Sequence, residues 1–182
     1  MLYIIRHGLT DWNIRHKLQG QTDVPLNEDG RTMARVAKTE YKDINFDICF
    51  CSPLVRAKET ATILLEGRDI PIIEDERLKE MCFGDYEGIE NSFDIPDCPV
   101  NVLFKEPEKY VAVHGGESIA DVIKRTGEFL QEKVNPLLDE GRDVLIVGHG
   151  AMNSCIVCQV KGLQVKDLWS LGIENCKLMK LK

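Results

Sequence analysis

The sequence predicts an α/β fold: a three-layer sandwich in which a mostly parallel sheet is flanked by helices. Short apolar runs of strand length alternate with longer helical stretches, the pattern of a layered fold with crossover connections. Two of those runs, residues 2–5 and 144–147, lead straight into Arg6-His7-Gly8 and Gly148-His149-Gly150. Ligands of open α/β sheets bind just outside the carboxyl ends of the strands. Two histidines delivered there from opposite ends of the chain therefore converge on one small site. With Arg6 and Arg56 nearby, that site suits an anion.

Each element has a local reason. Leu2-Tyr3-Ile4-Ile5 is the first strand, followed by a polar loop through Gly20 and the turn Asp23-Val24-Pro25-Leu26. Asn27 caps a helix that runs to about Tyr41, with Glu28 and Asp29 near its positive end. Residues 46–51 form the second strand, and Ser52-Pro53 reads as a helix start, Ser as N-cap and Pro as the first helical residue. Arg56 then lies in a first helical turn, whose free N–H groups favour anions. Residues 70–73 make a short strand, and 78–88 a loop carrying several carboxylates. From 89 to 114 there is no periodicity and Pro96, Pro99 and Pro107 interrupt any helix, which predicts an irregular lid or insert. Glu117 or Ser118 opens a helix to about Leu138, residues 143–147 are a strand, 151–160 a buried helix, and 176–181 alternate as an edge strand does. No repeat or linker divides residues 1–182, so one domain is expected.

Composition narrows the function. The chain is 43% hydrophobic and 29% charged, as soluble globular proteins are, and has no long apolar run. The start Met1-Leu2-Tyr3-Ile4-Ile5-Arg6 lacks the basic leader and apolar core of a signal peptide, so a cytoplasmic location is expected. A net charge of −7 argues against nucleic acid or an anionic membrane as partner. It leaves room for a small anionic substrate, because arginines focused in a cleft hold phosphate while the surface stays acidic. Seven scattered cysteines do not form a disulfide framework, and Cys155-x-x-Cys158, without a second pair, does not make a metal site. His16 and His114, without strand-end glycines, read as structural or surface residues, and Glu80, Asp85 and Glu87 read by themselves as solvated charge.

Arg6-His7-Gly8-Leu9-Thr10-Asp11-Trp12-Asn13 resembles the signature of the histidine phosphatase superfamily, also called the phosphoglycerate mutase-like family. Leu18-Gln19-Gly20, Asp23-Val24-Pro25-Leu26, Ser52-Pro53-Leu54-Val55-Arg56-Ala57, residues 78–88, Gly115-Gly116-Glu117-Ser118 and Val147-Gly148-His149-Gly150 follow in the family's order and span nearly the whole chain. The resemblance implies that His7 is the nucleophile, that Arg6, Arg56 and His149 bind the phosphoryl oxygens, and that Glu80 gives the proton to the leaving oxygen. It adds Asn13 and the backbone of Gly150 as phosphate contacts, with Gln19 and Gly20 beside the substrate, and implies a small phosphorylated metabolite as the partner. Leu9 stands where the family commonly has Glu, Lys17 where Arg is commoner, and Cys82 where a polar side chain is frequent. Cys82 is expected at the pocket rim, where a thiol would make the enzyme sensitive to oxidants.

Those residue types suit phosphoryl transfer. Its loose transition state spreads charge over three oxygens, so catalysis is mainly positioning and electrostatic stabilisation, which arginines and a second imidazole supply. A neutral imidazole attacks phosphorus and divides one displacement into two. A carboxylic acid beside the anion protonates the leaving alkoxide. The scheme requires neither metal nor cofactor. Of the resemblance's branches the phosphatase is favoured, since residues 89–114 offer only Lys105 and Lys109 against Glu90, Asp94, Asp97, Glu106 and Glu108. Mutase-type transfer and a non-catalytic phospholigand-binding protein are the alternatives.

Overall fold

A computed structural model describes residues 1–182. The chain forms β1 (Leu2–Arg6), α1 (Asp11–Ile14), α2 (Glu28–Glu40), β2 (Ile48–Cys51), α3 (Val55–Leu65), β3 (Ile72–Glu74), α4 (Asn101–Lys105), α5 (Ile119–Phe129), α6 (Asn135–Asp139), β4 (Val144–Gly148), α7 (Gly150–Lys161) and β5 (Leu178–Lys180). Five strands make one sheet in the spatial order β3-β2-β4-β1-β5, parallel except for the antiparallel edge strand β5. No helix is long and apolar enough to cross a membrane.

The period-two alternation of strands sends side chains to two separate cores. Ile4, Phe50 and Ile146 pack on one side with α5 and α7 residues such as Val122, Phe129 and Cys155. Ile5, Cys49, Cys51, Leu145 and Val147 pack on the other with Ala34, Ala37, Ala57 and Ala61 of α2 and α3. β4 lies in mid-sheet with all five residues buried, which is why 144–147 reads as a continuous apolar run.

This layering places the site. β1 and β4 are parallel neighbours, with Arg6 opposite Gly148 and the His7 N–H donating to the Gly148 carbonyl at 2.9 Å. The chain leaves β1 toward the α2–α3 face and leaves β4 toward the α7 face. Connections departing in opposite directions from adjacent strands open a crevice at their carboxyl ends, and His7 and His149 are the first residues inside it. Backbone contact keeps the crevice tight: a Cβ on Gly8 would come within 2.4 Å of the Gly30 carbonyl oxygen.

Several elements differ from expectation. The polar loop after β1 contains α1, closed by a capping box in which Thr10 and Asn13 satisfy each other's backbone N–H groups. Ser52-Pro53 does not start a helix. α3 begins at Val55, whose N–H donates to Asp23 Oδ1 at 2.7 Å, so the cap comes from another loop while the Ser52 hydroxyl accepts from Leu54 N–H. Arg56 keeps its first-turn place. Ser118, not Glu117, caps α5, and the long helix widens to a π turn over Leu130–Val134 before α6. Pro136 explains the change: it lacks an N–H, and its ring crowds the carbonyl four residues earlier. The third strand lies slightly later than 70–73. Residues 89–114 contain α4 and two 3-10 turns, and bury Cys98, Val100, Leu103, Tyr110 and Val113 against the α7 core, so the segment is packed structure rather than a loose flap.

Candidate active site

Five separate segments meet at the carboxyl ends of β1 and β4. The site is a cavity of about 160 Å³ whose lining includes Arg6, His7, Asn13, Gln19, Gly20, Arg56, Glu80 and Gly150. His149 lies fully buried against it, its ring centroid 5.1 Å from that of His7. All nine residues expected at a phosphate site are therefore brought together.

His7 is held in one tautomer. Its Nδ1 lies 2.6 Å from the Gly8 carbonyl, which only accepts, so Nδ1 carries the proton. Nε2 keeps its lone pair and receives Arg56 Nε–H at 3.3 Å. Burial, then Arg56 and Arg6, hold His7 well below its ordinary pKa, so the ring is neutral. Thr60 braces the turn: its hydroxyl donates to the Arg56 carbonyl at 2.7 Å and accepts Gly8 N–H at 3.0 Å.

Arg56 is wholly buried on α3, donating to the carbonyls of Gly20 at 2.6 Å and Thr22 at 2.9 Å. Burial pushes its pKa down to about 10, opposed chiefly by Glu80. Arg6 donates Nη1 to the Ile173 carbonyl at 3.1 Å, while its buried Nε has no partner. Both ring nitrogens of His149 are also unpartnered, and burial followed by Arg56 lowers its pKa as for His7. A buried polar group left unpaired costs about 1–3 kcal/mol, and the Arg6 Nε–H together with the single N–H of neutral His149 are unmatched donors preorganised for oxygen acceptors.

Glu80 lies at the N-terminus of α7. Its oxygens accept N–H from Met81 at 2.8 Å, Met152 at 2.9 Å and Ala151 at 3.2 Å. Arg125 orders the segment before it, donating to the carbonyls of Lys79 and Glu80, and is itself held by Glu117. Gln19 accepts from the Thr10 hydroxyl at 2.8 Å, and Asn13 Oδ1 is engaged by Thr10 in the capping box.

His16 and His114 stay outside, His114 exposed and 2.9 Å from Asp85. Cys82 does not line the cavity, and burial raises its thiol pKa, the opposite of an oxidant-sensitive thiolate. The sequence reading missed the outer wall: Lys17, Leu18, Phe83, Phe104, Ala151 and Trp169. Phe104 and Trp169 stack at 5.5 Å, and the indole N–H is used by the Leu103 carbonyl. No local pattern marks these two, which meet only through tertiary packing.

The model of the histidine phosphatase superfamily, branch 1, matches residues 2–182. The chain belongs to the histidine phosphatase superfamily. Among curated relatives, a 2,3-bisphosphoglycerate-dependent phosphoglycerate mutase of Cytophaga hutchinsonii is 34% identical, over 92% of this chain and 80% of its own. An uncharacterized phosphatase, PhoE, of Bacillus subtilis is 36% identical over 87% of this chain and 76% of its own. Among solved structures, YhfR of Bacillus stearothermophilus superposes with a TM-score of 0.87 at 33% identity, covering 97% of this chain and 88% of that one. Mycobacterial glucosyl-3-phosphoglycerate phosphatase, determined with VO3, gives 0.85 at 31% identity, covering 97% and 90%. Membership is thus shared by mutase and phosphatase relatives, and the site itself must discriminate.

Proposed function

We propose that this chain is a cytoplasmic phosphatase that hydrolyses a small phosphate monoester through a phosphohistidine on His7. The observation that carries phosphatase over mutase is the outer wall. Beyond Arg6 and Arg56, the one cation lining the cavity is Lys17, which lies 3.7 Å from Glu90 and over the Trp12 ring. The rest of that wall is largely Leu18, Phe83, Phe104 and Trp169. Lys105 sits over Phe93 and Lys109 pairs with Glu106, and neither lines the cavity. A phosphoglycerate mutase must hold a second anionic group, and this wall offers it little.

The mechanism uses the chain's own groups. The Nε2 lone pair of neutral His7 attacks phosphorus as the ester P–O bond breaks, while Arg6, Arg56, His149 and the Gly150 N–H receive the equatorial oxygens. Arg56 Nε–H turns from Nε2 to the phosphoryl group as the nitrogen becomes a nucleophile. Glu80 protonates the departing alkoxide, for which an oxygen leaves the α7 terminus and faces the ester. Water then attacks the phosphohistidine, Glu80 takes its proton, and breaking of the P–N bond returns the lone pair to His7. The acid's place beside the arginines supports turnover over mere phospholigand binding, since a binder has no use for a proton donor.

With 3-phosphoglycerate and a bisphosphoglycerate primer, the expected products are inorganic phosphate or none. Isomerisation faster than phosphate release would make the chain a mutase.

A further inference from the structure

Arg56 is fully buried yet has no carboxylate within ion-pair distance: its guanidinium meets two carbonyls and the His7 ring. A buried cation needs compensating charge. Three acids face it through longer distances, Glu80, Asp23 and Glu87. Glu80 is engaged at the α7 terminus, and Asp23 caps α3.

Glu87 is differently connected. It follows the 3-10 turn Gly84–Tyr86, and its half-buried carboxylate gathers four donors. Oε1 accepts N–H from Gln21 at 2.9 Å and Phe83 at 3.1 Å, and Oε2 accepts the N–H of Thr22 at 2.8 Å and its hydroxyl at 2.5 Å. The other side of the same loop presents the carbonyls of Gly20 and Thr22 to Arg56. The single peptide group joining Gly20 to Gln21 thus gives its oxygen to the guanidinium and its N–H to the carboxylate. Its dipole lies between opposite charges in the favourable sense, an ion pair relayed through one peptide. Gly20 is required there: its φ is +51°, and a Cβ would come 2.1 Å from Glu87 Oε1.

We propose that Glu87 is a positioning residue for phosphoryl transfer, holding Arg56 against His7 and aimed at the phosphoryl oxygens through the loop 20–22. The inference rests on the reading of His7 as the phosphorylated residue. Without Glu87 the loop loses its anchor, the carbonyls drift, and the guanidinium loses both its seat and its relayed counter-charge. Misplacement of a positioning group by about 1 Å costs up to about 10²-fold in rate.

The experiment compares Glu87→Gln, Glu87→Asp and Thr22→Val with the unaltered protein, reading kcat and KM, inhibition by orthovanadate, the pH profile of kcat/KM, and Tm. Glu87→Gln is expected to lower kcat/KM about 10- to 100-fold and to weaken orthovanadate about tenfold, with Glu87→Asp recovering part of both. The acid limb of kcat/KM should move to higher pH, because displacing Arg56 removes a cation from His7. The other titratable or charged groups facing His7, namely Arg6, His149 and Glu80, are unchanged. Thr22→Val, which deletes one donor and leaves the fold intact, should shift the same quantities the same way by less. If Glu87→Gln lowers Tm but leaves kcat/KM, orthovanadate inhibition and the acid limb within twofold, Glu87 is only a brace for the 83–88 turn. If Glu87→Gln does not fold, unchanged kcat/KM and orthovanadate inhibition in Thr22→Val overturn the proposal. Failure of the phosphohistidine reading is separable: it shows as absence of labelled His7 in the unaltered protein, whereas orthovanadate still reports on Arg56.

Discussion

Two buried imidazoles make the stability of this fold depend on pH in a window where few other groups titrate. Burial, then Arg56, keeps both His7 and His149 neutral in the folded chain, well below the ordinary imidazole pKa near 6.5. In the unfolded chain both protonate as pH falls through about 6.5. The unfolded state then binds more protons than the folded one, so stability is full above that pH and is lost on acidification until the folded pKa is reached. Each group contributes about 1.4 kcal/mol per pH unit in this range. Between pH 7.5 and 5.5 the two together should remove roughly 2.7 kcal/mol, which for a chain of this size lowers Tm by roughly 5–11 °C.

The assay is urea unfolding followed by circular dichroism at both pH values, comparing the unaltered chain with His149→Asn. Subtraction cancels the carboxylates and exposed histidines common to both proteins. The variant's loss on acidification should be smaller by about 1.4 kcal/mol, whatever its stability at pH 7.5. Buffers must be free of phosphate, because an anion in the cradle would stabilise the folded state and favour the charged rings. An equal loss in both proteins would refute the reasoning: His149 would then be protonated in the fold, and the site would carry more positive charge than described.

The remaining predictions concern chemistry. Replacing His7 with Ala should abolish covalent labelling by a radioactive phosphate ester and lower turnover by several orders of magnitude; acid-labile, base-stable phosphate on the His7→Ala protein would place the nucleophile elsewhere. Glu80→Gln should damage cleavage of an alkyl phosphate about 10²–10⁴-fold more than that of p-nitrophenyl phosphate, whose leaving group needs little protonation, when His7 phosphorylation is read in single turnovers. Equal losses on both esters would make Glu80 a positioning residue. Glu117 is poorly suited to replace it as proton donor, because Arg125 and the Cys82 N–H already engage its oxygens.

What was legible in the sequence was what strand geometry and a single backbone requirement dictate. Residues 2–5 and 144–147 are apolar because β1 and β4 are buried on both faces, and their terminal His-Gly pairs mark the crevice with no knowledge of the partner strand. Helix α1 was not legible because a four-residue helix has no apolar period, although Thr10-x-x-Asn13 carries its capping signal. Ser52-Pro53 misled because a cap can be supplied from a distant loop, here by Asp23. The aromatic wall had no signal at all: Phe104 and Trp169 are 65 positions apart, and only packing of the 89–114 segment against the C-terminal turns brings them together.

The two halves of the site consequently answer different questions. The cradle of Arg6, His7, Arg56, Glu80 and His149 is tied to strand ends and helix starts that the sheet itself positions. The outer wall hangs on segments whose arrangement the sheet does not dictate, and there one substitution can add or remove a charge without disturbing the fold. Here that wall presents apolar and aromatic side chains with one lysine already engaged by Glu90. A second anionic group entering it would surrender its hydration for little electrostatic return, whereas water entering the same space would meet the phosphorus of the proposed phosphohistidine. On the proposed reading, the choice between passing a phosphoryl group back to a sugar acid and giving it to water falls to what lies opposite the histidines.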